Sequence, residues 1–123
     1  MKRKKLLFVD DDESIHKVLK RVFEDNSLDL SFAFSGKEAL QKTEKNPPDL
    51  IFLDIRMPGL DGYAVIRQLR QNKETHSIPV VMLTGEGEIV DKVAGYEMGV
   101  NDYITKPIDV KKIRQRVAHF LKS

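Results

Sequence analysis

Apolar residues fall in five short runs, separated by longer stretches in which they recur every three or four positions. The runs cover residues 5–9, 28–34, 50–53, 78–83 and, weakest, 102–104. Runs without clear apolar–polar alternation suit strands covered on both faces, as in a parallel sheet. Between the runs, Ile15, Val18, Leu19, Val22 and Phe23 share one face of a helix. Ser35 can cap a second helix over residues 36–45, with Glu38 closing a capping box. Residues 62–71 carry a third. Ile89, Val93 and Tyr96 mark a fourth, which Gly95 and Gly99 weaken or end. Val110, Ile113, Val117, Phe120 and Leu121 mark a fifth. Five strand–helix units in succession predict an α/β layer fold with right-handed crossovers.

Nothing interrupts the succession: there is no repeat, linker or low-complexity tract, and Asn46-Pro47-Pro48 reads as a turn. The expectation for these 123 residues is one domain over 1–123 with no output domain. A content of 41% hydrophobic and 33% charged residues indicates a globular chain rather than a disordered one. The absence of cysteine excludes disulfides, thiolate metal sites and cysteine nucleophiles. No apolar run approaches the roughly 20 residues needed to span a bilayer. The basic start, Met1 to Lys5, leads into a short apolar stretch and then acids, unlike a secretion signal. A cytoplasmic location without membrane contact is therefore expected. The net charge of +2 arises from basic residues spread over both ends, without interleaved aromatics. That pattern predicts a solvated surface and no direct nucleic-acid contact.

Ligands of open parallel sheets bind beyond the carboxyl ends of the strands. Asp10, Asp11, Asp12 and Glu13 follow the first run, Asp54 the third, Thr84-Gly85 the fourth and Lys106-Pro107 the fifth. Asp12 has a sufficient role as a helix cap. Carboxylates gathered at one edge repel one another, and burial aggravates this. An oxygen-only donor set without histidine or cysteine points to a hard cation such as Mg2+. A lysine can hold a phosphate oxygen as a point charge, and Thr84 can donate its hydroxyl to the same oxygen. Metal, carboxylate nucleophile, hydroxyl and cation together are what phosphoryl transfer requires, since its catalysis is mostly positioning and charge neutralisation.

These residues bring a family into view. Val9-Asp10-Asp11, the segment from Leu53 to Gly62, Leu83-Thr84-Gly85 and the segment from Asp102 to Pro107, in this order and at these intervals, resemble the receiver domain of bacterial two-component response regulators. The resemblance covers essentially the whole chain. It implies a flavodoxin-like, doubly wound, five-stranded parallel sheet in the order 2-1-3-4-5 with five helices. It further implies that Asp54 accepts a phosphoryl group from a histidine kinase or histidine phosphotransfer protein. Asp11, Asp54 and the backbone carbonyl of Arg56 would bind Mg2+, with Asp10 acting through metal-bound water. Thr84 and Lys106 would grip the phosphoryl oxygens. Tyr103 would turn inward as Thr84 moves, altering the face of the fourth helix, fifth strand and fifth helix for a downstream protein target. Such a protein is a phosphoacceptor that assists its own phosphorylation and dephosphorylation rather than an enzyme.

Two further positions are expected to tune phosphoryl lifetime: Arg56 and Glu86 reach towards each other across the mouth, while Gly85 leaves it open. The histidines His16, His76 and His119 read as surface or partner-face residues rather than phosphodonors. No P-loop motif is present, and an EF-hand counted from Asp10 would have Ile15 where glycine is required. The enzyme alternative is a Mg2+-dependent phosphatase of haloacid-dehalogenase type, using Asp10-Asp11-Asp12 as its D-x-D. It leaves Asp54, Thr84 and Tyr103 less well explained.

Overall fold

A computed structural model describes residues 3–23, 27–85 and 87–122. Among them, strands and helices alternate as β1 Lys4–Val9, α1 Glu13–Val22, β2 Leu28–Ala33, α2 Gly36–Lys45, β3 Leu50–Asp54, α3 Gly62–Gln71, β4 Val80–Thr84, α4 Lys92–Met98, β5 Asp102–Thr105 and α5 Val110–Phe120. The strands pair in parallel in the order β2-β1-β3-β4-β5, as expected. The order reverses between β1 and β3, so a crevice opens beyond the carboxyl ends of those two strands.

Side-chain parity divides the core. Leu7, Val9, Ile51, Leu53, Val80 and Met82 face one side of the sheet, where Ala39 of α2 and Val65, Ile66 and Leu69 of α3 cover them. Leu6, Phe8, Leu50, Phe52, Val81 and Leu83 face the other, under Leu19 of α1 and Ile113 of α5. In β1, β3 and β4, burial on both faces explains the lack of alternation, whereas β2, at the sheet edge, alternates, with Asp29 and Ser31 exposed.

Side-chain oxygens of Asp12, Ser35, Asp61, Asp91 and Asp109 each accept a first-turn N–H of the helix that follows. Each such cap contributes about 1 kcal/mol. At α2 the expected box is modified: Ser35 accepts from the Glu38 N–H at 3.1 Å, but Glu38 accepts from Phe34 N–H, one residue earlier, at 2.6 Å.

Three expectations need correction. The strands β3 and β4 extend to Asp54 and Thr84, so these residues end the strands rather than follow them. The apolar trio of the fourth helix is not a core stripe: Ile89 precedes the helix, and Ile89, Val93 and Tyr96 are all exposed. Gly95 is the buried residue of α4 instead, and Gly99, with φ 109°, ends it in the left-handed region. His16 is no surface residue. It is 5% exposed, on the helix face it shares with Leu19 and Phe23.

Candidate functional site

β1 and β3 are adjacent, with Val9 opposite Leu53, so Asp10 and Asp54 emerge side by side at the crevice. Asp10 is fully buried. Its N–H donates to the Ala33 carbonyl at 3.1 Å, and its Oδ1 accepts from the Asp12 N–H at 2.9 Å. Asp54 is also buried, and its Oδ1 accepts from the Arg56 N–H at 3.2 Å. Asp11 is exposed, yet one oxygen from each of Asp10, Asp11 and Asp54 lies within 4.8 Å of the others.

The opposing charge comes from beyond β5. Lys106 donates its backbone N–H to the Thr84 carbonyl at 2.7 Å, which ties it to the end of β4, and the Lys106–Pro107 peptide is cis. Its Nζ donates to Asp54 Oδ2 at 3.0 Å. It also lies 3.0 Å from Asp10 Oδ2, an ion-pair contact without an aligned hydrogen bond. Burial works against the ammonium, but its close contacts with the charged Asp10 and Asp54 outweigh it, and the Lys106 pKa lies above its ordinary value. Burial pushes the Asp54 carboxyl up, against the lowering effect of Lys106.

One ammonium facing three carboxylates leaves the cluster formally negative. Asp10 Oδ2 remains a buried acceptor without an aligned donor. Surplus charge, oxygen-only donors and an under-satisfied acceptor fit a hard divalent cation.

The other expected residues reach the same edge with different contacts. Thr84 is buried, but its hydroxyl donates to Thr105 Oγ1 at 3.4 Å rather than towards Asp54. Tyr103 is already inward. It is buried, its hydroxyl lies 3.5 Å from that of Tyr63, and Tyr96 meets its ring edge-on. Burial raises its pKa above the ordinary range. Asp12 caps α1: its Oδ1 accepts from the Ser14 N–H at 3.0 Å and hydroxyl at 2.7 Å.

Glu86 lies outside the described residues. Among the described residues, Arg56 pairs with Glu88, whose other oxygen accepts from the Gly85 N–H at 3.2 Å. The Arg56 side chain is 83% exposed and that of Glu88 only 8%. The mouth beside Gly85 is therefore bridged by Glu88, which no local sequence signal marks. Gly95 was likewise missed as a site element: a Cβ there would collide with the Tyr103 hydroxyl.

Comparison with known proteins agrees with this geometry. The profile of the response regulator receiver domain matches residues 6–118. The chain is 45% identical over 119 residues to the alkaline phosphatase synthesis transcriptional regulatory protein PhoP of Bacillus subtilis (strain 168), covering 97% of this chain and 49% of that protein. It thus spans about half the length of the curated relatives it matches. Among solved structures, the Francisella response regulator 1452 receiver domain superposes with a TM-score of 0.85 at 36% identity, covering 98% of each chain. The receiver domain of sensor histidine kinase PA1611 from Pseudomonas aeruginosa PAO1, solved with a magnesium ion coordinated in its active site cleft, has a TM-score of 0.85. It covers 99% of this chain and 100% of that one, and at 24% identity the likeness carries the fold alone.

Proposed function

We propose that this chain, which belongs to the response regulator receiver domain family, takes a phosphoryl group on Asp54 from the phosphohistidine of a histidine kinase or phosphotransfer protein. The single observation that carries the reading is the buried Asp54 carboxylate. It sits within 4.8 Å of the ligand oxygens of Asp10 and Asp11, and 3.0 Å from the Lys106 ammonium.

In the proposed step an Asp54 oxygen attacks phosphorus, the new O–P bond forms and the donor's N–P bond breaks, returning the electron pair to the imidazole. Asp11, Asp54 and the Arg56 carbonyl would hold Mg2+, with Asp10 acting through its water. A bound cation supplies charge neutralisation as the phosphoryl group approaches. Lys106 is placed to transfer its ion pair from Asp54 Oδ2 to a phosphoryl oxygen. Thr84 would exchange Thr105 for another such oxygen. That exchange differs between the two states, so it can shift the equilibrium of the α4–β5–α5 face through Tyr103. Arg56, tied to Glu88 across the mouth, hinders water and lengthens phosphoryl lifetime.

The output would pass by protein–protein contact to a downstream target, in the cytoplasm. No helix among the described residues is long and apolar enough to cross a membrane. The transcriptional regulation named for the B. subtilis relative belongs to a protein about twice this length, so the expected absence of nucleic-acid contact concerns these residues only. The phosphatase alternative finds no support. Asp12, the second acid of its D-x-D, is engaged in capping α1.

The test is incubation with Mg2+ and a small acyl phosphate, followed by intact mass. Wild type should gain one phosphoryl group and Asp54→Ala none. An undiminished adduct on Asp54→Ala would refute the assignment.

A further inference from the structure

His16 is a buried polar residue that phosphoryl transfer does not use. Its ring stacks on Phe34 at 4.5 Å, with Phe32 at 4.6 Å and Phe8 edge-on at 6.0 Å. Nε2 lies 2.7 Å from the Asp10 carbonyl oxygen. A carbonyl only accepts, so Nε2 carries the hydrogen. Nδ1 is buried without a hydrogen-bond partner among the described residues.

This arrangement is costly as packing. An aliphatic or phenyl side chain would fill an aromatic box without leaving a polar nitrogen orphaned. What a hydrocarbon could not supply is the bond to Asp10. That carbonyl belongs to the planar unit running from the Cα of Asp10 to the Cα of Asp11. Pinning its oxygen orients the peptide from which the exposed Asp11 carboxylate projects. The neighbouring restraints, Asp10 N–H to Ala33 and Asp12 N–H to Asp10 Oδ1, hold the peptide planes on either side rather than this one.

We propose that His16 is a positioning residue for the cation site: through the Asp10 carbonyl it holds Asp11 ready to meet Asp10 and Asp54 around Mg2+. The proposal rests on the cation-site reading above and adds a residue that touches neither cation nor phosphoryl group. Hydrogen-bonding partners that orient ligands are commonly worth tenfold or more in metal affinity.

Mg2+ binding by calorimetry, without phosphodonor, tests it in the wild type and three variants. His16→Leu and His16→Phe remove the donor while filling the box. His16→Gln keeps an N–H near the Nε2 position. Both apolar variants should bind Mg2+ about tenfold more weakly, beyond any change in metal-free melting caused by leaving the Asp10 carbonyl without its donor. His16→Gln should recover most of the affinity. A structural role alone would move the melting temperature and leave the dissociation constant in place. Wild-type affinity in either apolar variant would overturn the proposal. So would weak binding by His16→Gln if it melts like wild type. Should Asp11→Ala or Asp54→Ala bind Mg2+ as wild type does, the cation-site reading itself fails, and that result is independent of the His16 variants.

Discussion

Lys106 and Tyr103 stand three residues apart at the end of β5, and their surroundings are built on opposite terms. Around Lys106 the structure is specified by charge: buried acids, one ammonium, and donors aimed at individual carboxylate oxygens. Around Tyr103 it is specified by missing volume. The ring lies inward because residue 95 has no side chain, and its hydroxyl meets Tyr63 only at the limit of a hydrogen bond. A charge-built region should respond to pH and cations and tolerate isosteric change. A volume-built region should ignore pH and fail on one methyl group.

Gly95→Ala is the strongest way to break the second half of that contrast. The added Cβ would collide with the Tyr103 hydroxyl and lie 2.9 Å from its Cζ. The hydroxyl end is the free end of the side chain, so the ring should swing outward. Loss of its burial, about 2–3 kcal/mol, outweighs the roughly 1 kcal/mol of helix propensity that alanine contributes. We expect a net loss of about 1–2 kcal/mol in urea denaturation, with changed Tyr103 ring resonances. Tyr103→Phe in the same background should recover part of the loss. Unchanged resonances in Gly95→Ala would show that α4, not the ring, gives way.

The charge-built half is probed by Asp54→Asn in the presence of chelator. Burial holds the folded Asp54 carboxyl above its ordinary 3.8. Its contribution to stability is therefore fully present below pH 3.8 and is lost as pH rises through the folded value. Asparagine removes that cost. The variant should melt a few degrees higher than wild type at pH 7, with the advantage narrowing as pH falls towards 3.8. A lower melting temperature at pH 7 would mean that pairing with Lys106 outweighs burial. Gly95→Ala, by comparison, should show a deficit independent of pH over this range.

The smallest effect on stability belongs to Arg56→Ala. An exposed guanidinium contributes little through its ion pair, so stability should change by less than about 0.5 kcal/mol. The measurable change should be kinetic: faster loss of the phosphoryl group, shared by Glu88→Gln. Equal dephosphorylation rates in wild type and Arg56→Ala would remove Arg56 from the tuning role.

The reach of the sequence follows from the range of the forces involved. The buried runs and the acids behind them were readable because parallel strands and strand-end chemistry leave local marks. Asp10, Asp11, Asp54 and Lys106 share one edge because each follows or ends a strand of one parallel sheet. Ser35 and Asp12 as caps were legible for the same reason, being set by residues two or three positions away. The Glu88 bridge was not, since 32 residues separate Arg56 from Glu88 and the nearer acid, Glu86, has the same chemistry. The burial of His16 did have a signal, its i, i+3, i+7 spacing with Leu19 and Phe23, which its polarity obscured. The fourth helix misled in the opposite way: Ile89, Val93 and Tyr96 have helical spacing, but spacing cannot say whether a stripe is covered.

By itself, then, the sequence determined the alternation of strands and helices, the family, and which carboxylates and which lysine meet at the crevice. Those properties depend on short-range periodicity and on a sheet topology that aligns strand ends. Only the tertiary structure decided the partner of Arg56, the direction of the Thr84 hydroxyl, the inward seat of Tyr103 under Gly95 and the hold of His16 on Asp10. Each of these depends on where two distant segments come within a few ångströms, and there a single methyl group or N–H settles the outcome.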